Sequence, residues 1–82
     1  MREKPARVTA ELIRRLRLLE VGKYYSTRQS AKRWKISKES ARGFLRYWAK
    51  KGIFFSPFRG WWQIGIAGEN VLRDVSQWSD EE

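Results

Sequence analysis

The side chains that could do chemistry in this chain are cations, hydroxyls and aromatic rings. The sequence has no histidine and no cysteine. The commonest general base, the commonest metal ligand and the thiolate are therefore missing. The nine carboxylates are scattered and form no catalytic constellation, so we expect no enzymatic activity, no metal and no cofactor. What remains at regular spacing is arginine. Arg42 and Arg46 stand four apart, which places both on one face of a helix, and an arginine fork can grip the edge of guanine through two hydrogen bonds. Around them lie Ser37, Lys38, Glu39, Ser40, Gly43, Tyr47 and Lys50, the residues that such a helix would offer to a polyanion.

Two residues of this group are ambiguous. Glu39 is an acid where phosphate would lie. It could accept a hydrogen bond from cytosine N4, but a carboxylate in a first helical turn more often serves the helix dipole. Gly43 costs a helix interior about 1 kcal/mol relative to Ala. Either a nucleic acid approaches closely there, or the glycine relieves crowding against a preceding helix. A second group, Ser26, Thr27, Arg28, Lys32, Arg33 and Lys35, suits phosphate contacts, which set register without reading sequence; the alternative is an ordinary solvated face. A third group, Phe58, Arg59 and Gly60, sits in a stretch of turn chemistry. Arg59 could enter a narrow minor groove, where A·T tracts concentrate negative potential, and Phe58 could wedge there or pack on sugars.

The elements that must position these groups are readable from periodicity. Residues 1–8 form no pattern and are expected to be a flexible basic arm. Val8, Leu12, Ile13, Leu16 and Leu19 mark one face of a first helix. Thr9 would cap it, a staple would join Val8 to Ile13, and Gly22 would stop it; Arg14, Arg15 and Arg17 fall mostly off the apolar stripe. Tyr24 and Tyr25 read as an extended link. Ser26 with Gln29 forms a capping box for a helix over residues 27–34 that turns Ala31 and Trp34 inward. Lys35-Ile36-Ser37 is a tight break. Ser37 caps a third helix, residues 37–51, with Ala41, Phe44, Leu45 and Trp48 as its buried stripe and Gly52 as its end. Residues 53–64 read as a two-stranded hairpin around Ser56-Pro57-Phe58-Arg59-Gly60. Val71, Leu72, Val75 and Trp78 mark a short fourth helix, followed by an acidic tail over 79–82.

In this order of elements, the stretch STRQSAKRWKISKESARGFLRYWAKKGIFF resembles the winged helix-turn-helix family, and WWQIGIAGENVL resembles the exit from its wing. The resemblance covers residues 9–78 and implies an α+β, mostly α domain: three helices, a two-stranded wing and a C-terminal helix. It further implies that residues 37–51 read the major groove of double-stranded DNA while the wing, residues 53–64, meets the minor groove. Gly65, where many members carry a Thr cap, and the bulky aromatic wing depart from the pattern. In size, basicity and lack of cysteine the chain resembles the small regulators of archaea and of their viruses and plasmids.

Length and charge bound the alternatives. A chain of 82 residues buries only about three-fifths of its unfolded surface, too little for a cofactor domain plus a substrate domain. The net charge is +9, split between +13 over residues 1–60 and −4 over residues 61–82. The excess favours a polyanionic partner. No apolar run suits a signal peptide or a membrane span, so a cytoplasmic protein with no membrane partner and no small-molecule ligand is expected. The leading function is sequence-specific binding of duplex DNA by a transcriptional regulator that occludes a promoter. RNA or single-strand binding is the alternative, with Phe54, Phe58, Trp61 and Tyr47 stacking on bases; a protein-interaction module of a replication or transcription assembly is another. Phe54, Phe55, Trp61 and Tyr47 cannot all point inward in a two-stranded hairpin. A homodimer through the C-terminal helix or the exposed rings would account for them, as would cover by the first and fourth helices within one chain.

Overall fold

Side-chain oxygens start the first three helices of the computed structural model, which describes residues 9–81, with side-chain surroundings for residues 9–75. The basic arm, the Val8 staple, Glu82 and the Trp78 side chain lie outside the described residues. Thr9 caps α1 (Ala10–Leu16) by accepting from the Leu12 amide at 3.1 Å. Ser26 caps α2 (Thr27–Trp34), with the reciprocal Gln29 contact of a full capping box. Ser37 caps α3 (Lys38–Ala49) through the Ser40 amide. Each cap satisfies an amide that a helix start would leave orphaned.

The turn between α2 and α3 closes on Lys35, whose φ of 59° is left-handed. Its amide and that of Ile36 return to the carbonyls of Lys32 and Ala31, and Ile36 is half-buried against the core. Ala41, Leu45 and Trp48 are buried along α3, with Phe44 partly so. The helix ends at Ala49 with Lys50 as its cap, two residues earlier than the spacing predicts.

Three further differences have long-range causes. First, α1 stops at Leu16 rather than near Gly22. Nothing local breaks it; side chains from later in the chain claim its end. The Trp34 indole donates to the Arg15 carbonyl at 3.1 Å and Arg33 donates to the Leu18 carbonyl at 3.0 Å. The amides of Leu18 and Leu19 bond three residues back instead, in tight 3₁₀-like turns, which leaves Leu19 buried. Second, Arg15 is not a surface cation. It is 9% exposed, paired with Glu11 at 2.5 Å, and its guanidinium lies 4.4 Å from the Phe44 centroid and 5.6 Å from that of Trp34. A helical stripe cannot show that two rings from other elements would accept this cation on their faces.

Third, the sheet has three antiparallel strands, not two. β1 (Tyr25–Ser26), which overlaps the expected link at Tyr25, pairs with β3 (Trp61–Ile64), which pairs on its other side with β2 (Phe54–Phe55). The registers Tyr25 with Trp62 and Phe54 with Ile64 send these four side chains into the core. Phe44 and Phe54 meet there, 6.2 Å apart between centroids, beside Trp34 and Trp48. The result is a small α+β domain of four helices and one sheet, mostly helical.

The fourth helix, α4 (Ile66–Glu81), is not short, and it takes up residues 79–81 of the expected acidic tail. Val75 is buried and Val71 and Leu72 pack on the core, so this stripe is covered within one chain by contact with α1 and the hairpin. Glycine makes the close approach feasible. A Cβ on Gly65 would lie 2.6 Å from the Gly52 carbonyl oxygen, and one on Gly68 would lie 2.5 Å from that of Ile53. Gly65 and Gly68 are therefore required by backbone packing.

Candidate nucleic-acid interface

The first turn of α2, the exposed face of α3 and the tip of the β2–β3 hairpin enclose a groove of about 850 Å³. Helix α3 contributes Lys38, Arg42 and Arg46, spaced along one face by its four-residue period. Helix α2 and its cap contribute Ser26, Thr27 and Arg28, and the hairpin contributes Ser56, Arg59, Gly60 and Trp62. Members of all three groups that the sequence singled out thus meet in one concavity. Five of the lining residues are cations, none is an acid, and among the described residues none of the five is in a salt bridge. Like charges gathered in a concave surface focus a positive potential.

Two hydrogen bonds brace the groove floor. The Trp62 indole donates to the Thr27 hydroxyl at 3.1 Å, both residues being buried, and the Thr27 amide donates to the Gly60 carbonyl at 3.2 Å. The Thr27 side chain is therefore structural: it ties α2 to the hairpin and holds Arg28 opposite Arg59. At the tip, Ser56 donates to the Phe58 carbonyl at 2.8 Å, and the Trp61 amide donates to the same oxygen at 2.9 Å. Gly60 has a φ of 82°, so the tip turn has the backbone that its Gly implied. Trp62 and Ser56 were not singled out as site residues. Trp62 is a large ring whose side chain is buried, and Ser56 carries a turn signal, with nothing local to say which way the turn leans.

The other expected site residues lie elsewhere. The hydroxyls of Ser37 and Ser40 bond each other at 3.1 Å in capping. Glu39 is exposed in the first turn of α3, the place where a carboxylate favours the dipole. Tyr47 and Lys50 are exposed farther along α3, with the Lys51 ammonium 5.1 Å over the Tyr47 ring. Lys35 is exposed at the turn. Lys32 and Arg33 face a separate concavity that they share with Lys23, Tyr24, Tyr25 and Gln29. Arg33 is engaged there, stacked 5.2 Å from the Tyr25 centroid and bonded to the Leu18 carbonyl. Phe58 is exposed at the tip, edge-on to Tyr24 at 6.5 Å.

Gly43 separates its two readings clearly. A Cβ there would meet nothing within 4 Å, so crowding against α2 does not explain it. Gly43→Ala should raise stability by about 1 kcal/mol, seen as a melting temperature roughly 4–8 °C higher. A lower melting temperature would restore the crowding explanation.

Among the described residues no group of His, Cys, Asp or Glu is placed to hold a metal ion, and no helix is long and apolar enough to cross a membrane. Compared with known proteins, the chain matches no family model, no curated protein and no solved structure.

Proposed function

We propose that this domain is a winged helix-turn-helix that binds double-stranded DNA, with α3 in the major groove and the β2–β3 hairpin as the wing. The observation that carries the reading is the groove. Five cations from three elements converge without a carboxylate among them, around a helix whose outward face is otherwise free of apolar stripe. The helix order, the capped tight turn before α3 and the three-stranded sheet order β1-β3-β2 support the fold assignment. Lys38, Arg42 and Arg46 are assigned to base edges and adjoining phosphates, Arg28 to phosphate, and Arg59 to the minor groove. The role is binding, not catalysis. Occlusion of a promoter is the simplest regulatory mechanism, since the function rests on surface contact.

Selection of bound duplexes from a random pool, with the stoichiometry measured on the enriched sequence, tests the reading. Enrichment of a defined site supports it; recovery of a pool without preference reduces the protein to a general phosphate binder. The hairpin makes a narrower expectation. Arg59→Ala should weaken binding most where A·T base pairs flank the site. Equal losses on A·T and G·C flanks in a titration would remove Arg59 from the minor groove and leave it on phosphate.

A further inference from the structure

The hairpin has a second face that the groove does not use. Alternation along β2 and β3 buries Phe54, Trp62 and Ile64 and turns Phe55, Trp61 and Gln63 the other way. Phe55 is 55% and Trp61 41% exposed. Tyr24, next to the inward Tyr25, is 52% exposed and meets the 64% exposed Phe58 edge-on. Four large rings therefore stand on solvent around one small sheet, with no aliphatic side chain among the outward positions of β2 and β3.

We propose that this face stacks unpaired DNA bases, so that the preferred substrate is a duplex that continues into a single strand. The inference rests on the duplex reading and extends it. Flat rings beside cations are what a single strand needs, since each base offers a π-face and each phosphate a charge. Cations stand next to two of the rings in the chain and share a concavity with a third. Arg59, between Phe58 and Trp61 in the chain, lines the groove, while the concavity that contains Tyr24 is lined by the exposed Lys32 together with Lys23 and Arg33, which are held by Glu20 and by the Leu18 carbonyl. A strand leaving the groove over the hairpin tip would pass from one set of cations to the other across the rings.

The test measures anisotropy with three labelled DNAs: a blunt duplex, the same duplex extended by roughly eight thymidines, and the same duplex extended by as many abasic residues. The thymidine extension should tighten binding about tenfold or more. The abasic extension, which keeps the phosphates and lacks the bases, should give most of this back. Phe55→Thr with Trp61→Thr keeps strand-forming residues at exposed positions; it should leave the blunt duplex within about twofold of its original affinity and lose the thymidine advantage. Equal binding of blunt and thymidine-extended DNA, or an advantage that survives in the abasic strand or in the variant, overturns the inference and leaves the duplex reading standing. Failure to bind the blunt duplex at all overturns both. A dimer that the same substitutions dissociate in sedimentation, with no extension advantage, would assign the face to a second copy of the chain.

Discussion

Reversing two charges on α3, Arg42→Glu with Arg46→Glu, should abolish duplex binding while the domain stays folded. Both residues are exposed and line the groove, and neither is in a salt bridge among the described residues, so the fold loses little. Surface changes of this kind are usually within about 0.5 kcal/mol. Binding loses far more. A well-placed bidentate contact to a base is worth about 1–3 kcal/mol, and two of them lost together weaken binding about 30-fold at the bottom of that range and about 700-fold at its middle. Introduced carboxylates then repel the phosphates that Arg28, Lys38 and Arg59 attract. Circular dichroism melting should show the two proteins alike, and anisotropy should show the variant unbound where the original is saturated. A variant that binds within a factor of a few would move the interface away from α3.

The largest effect on stability is expected at Gly68. Its missing Cβ would lie 2.5 Å from the Ile53 carbonyl oxygen and 2.8 Å from a methyl of Ile64. The first is backbone and cannot rotate away, so Gly68→Ala must push α4 off the start of the hairpin. Overpacking in a tight site costs typically 1–3 kcal/mol, and in a domain this small each kcal/mol lowers the melting temperature by roughly 4–8 °C. A fall of about 10–20 °C is expected. The displaced element carries Val71 and Leu72 against the core and the buried Val75, so the loss should be cooperative rather than a fraying of the last helix. Gly68→Ala and Gly43→Ala make the same chemical change in helices and should move stability in opposite directions, because one added methyl meets backbone and the other meets solvent. Equal effects of the two would contradict the packing of α4.

What could be read ahead of the structure was local. The Ser26 and Gln29 box, the Ser37 cap, the Lys35-Ile36-Ser37 break and the Ala41, Leu45 and Trp48 stripe depend on residues within a few positions of one another, and each stands where its spacing puts it. The end of α1, the strand β1 and the burial of Arg15 depend on partners distant in sequence. The Trp34 and Arg33 side chains determine where α1 ends, 15 to 19 residues before them. Strand β1 exists because β3 returns to it; two residues alone carry no period. Arg15 is buried because Phe44 and Trp34 present their ring faces. The interface follows the same division. Arg42 and Arg46 share a face by helical arithmetic. That Thr27 faces inward onto Trp62, and that Lys32 and Arg33 open onto a different concavity from Arg28, depends on how α2 meets the hairpin.

Charge follows the architecture. The +13 of residues 1–60 includes the five groove cations, while Arg15, Arg33 and Lys23 are drawn into internal contacts. Part of the basic surplus is thus engaged within the chain, whereas the groove cations are in no salt bridge among the described residues. The −4 of residues 61–82 falls on a segment that includes all of β3 and α4, and among the described residues none of its acids lines the groove.

The most direct measurement is the salt dependence of binding to a mixed-sequence blunt duplex. If the five groove cations each neutralise a phosphate, log affinity should fall with log salt at a slope of about −4.5, so that binding weakens about five-hundredfold between 50 and 200 mM salt. Arg28→Ala should lower the magnitude of that slope by about 1. Binding that is absent at 50 mM salt, or present with a slope near zero, would contradict the account.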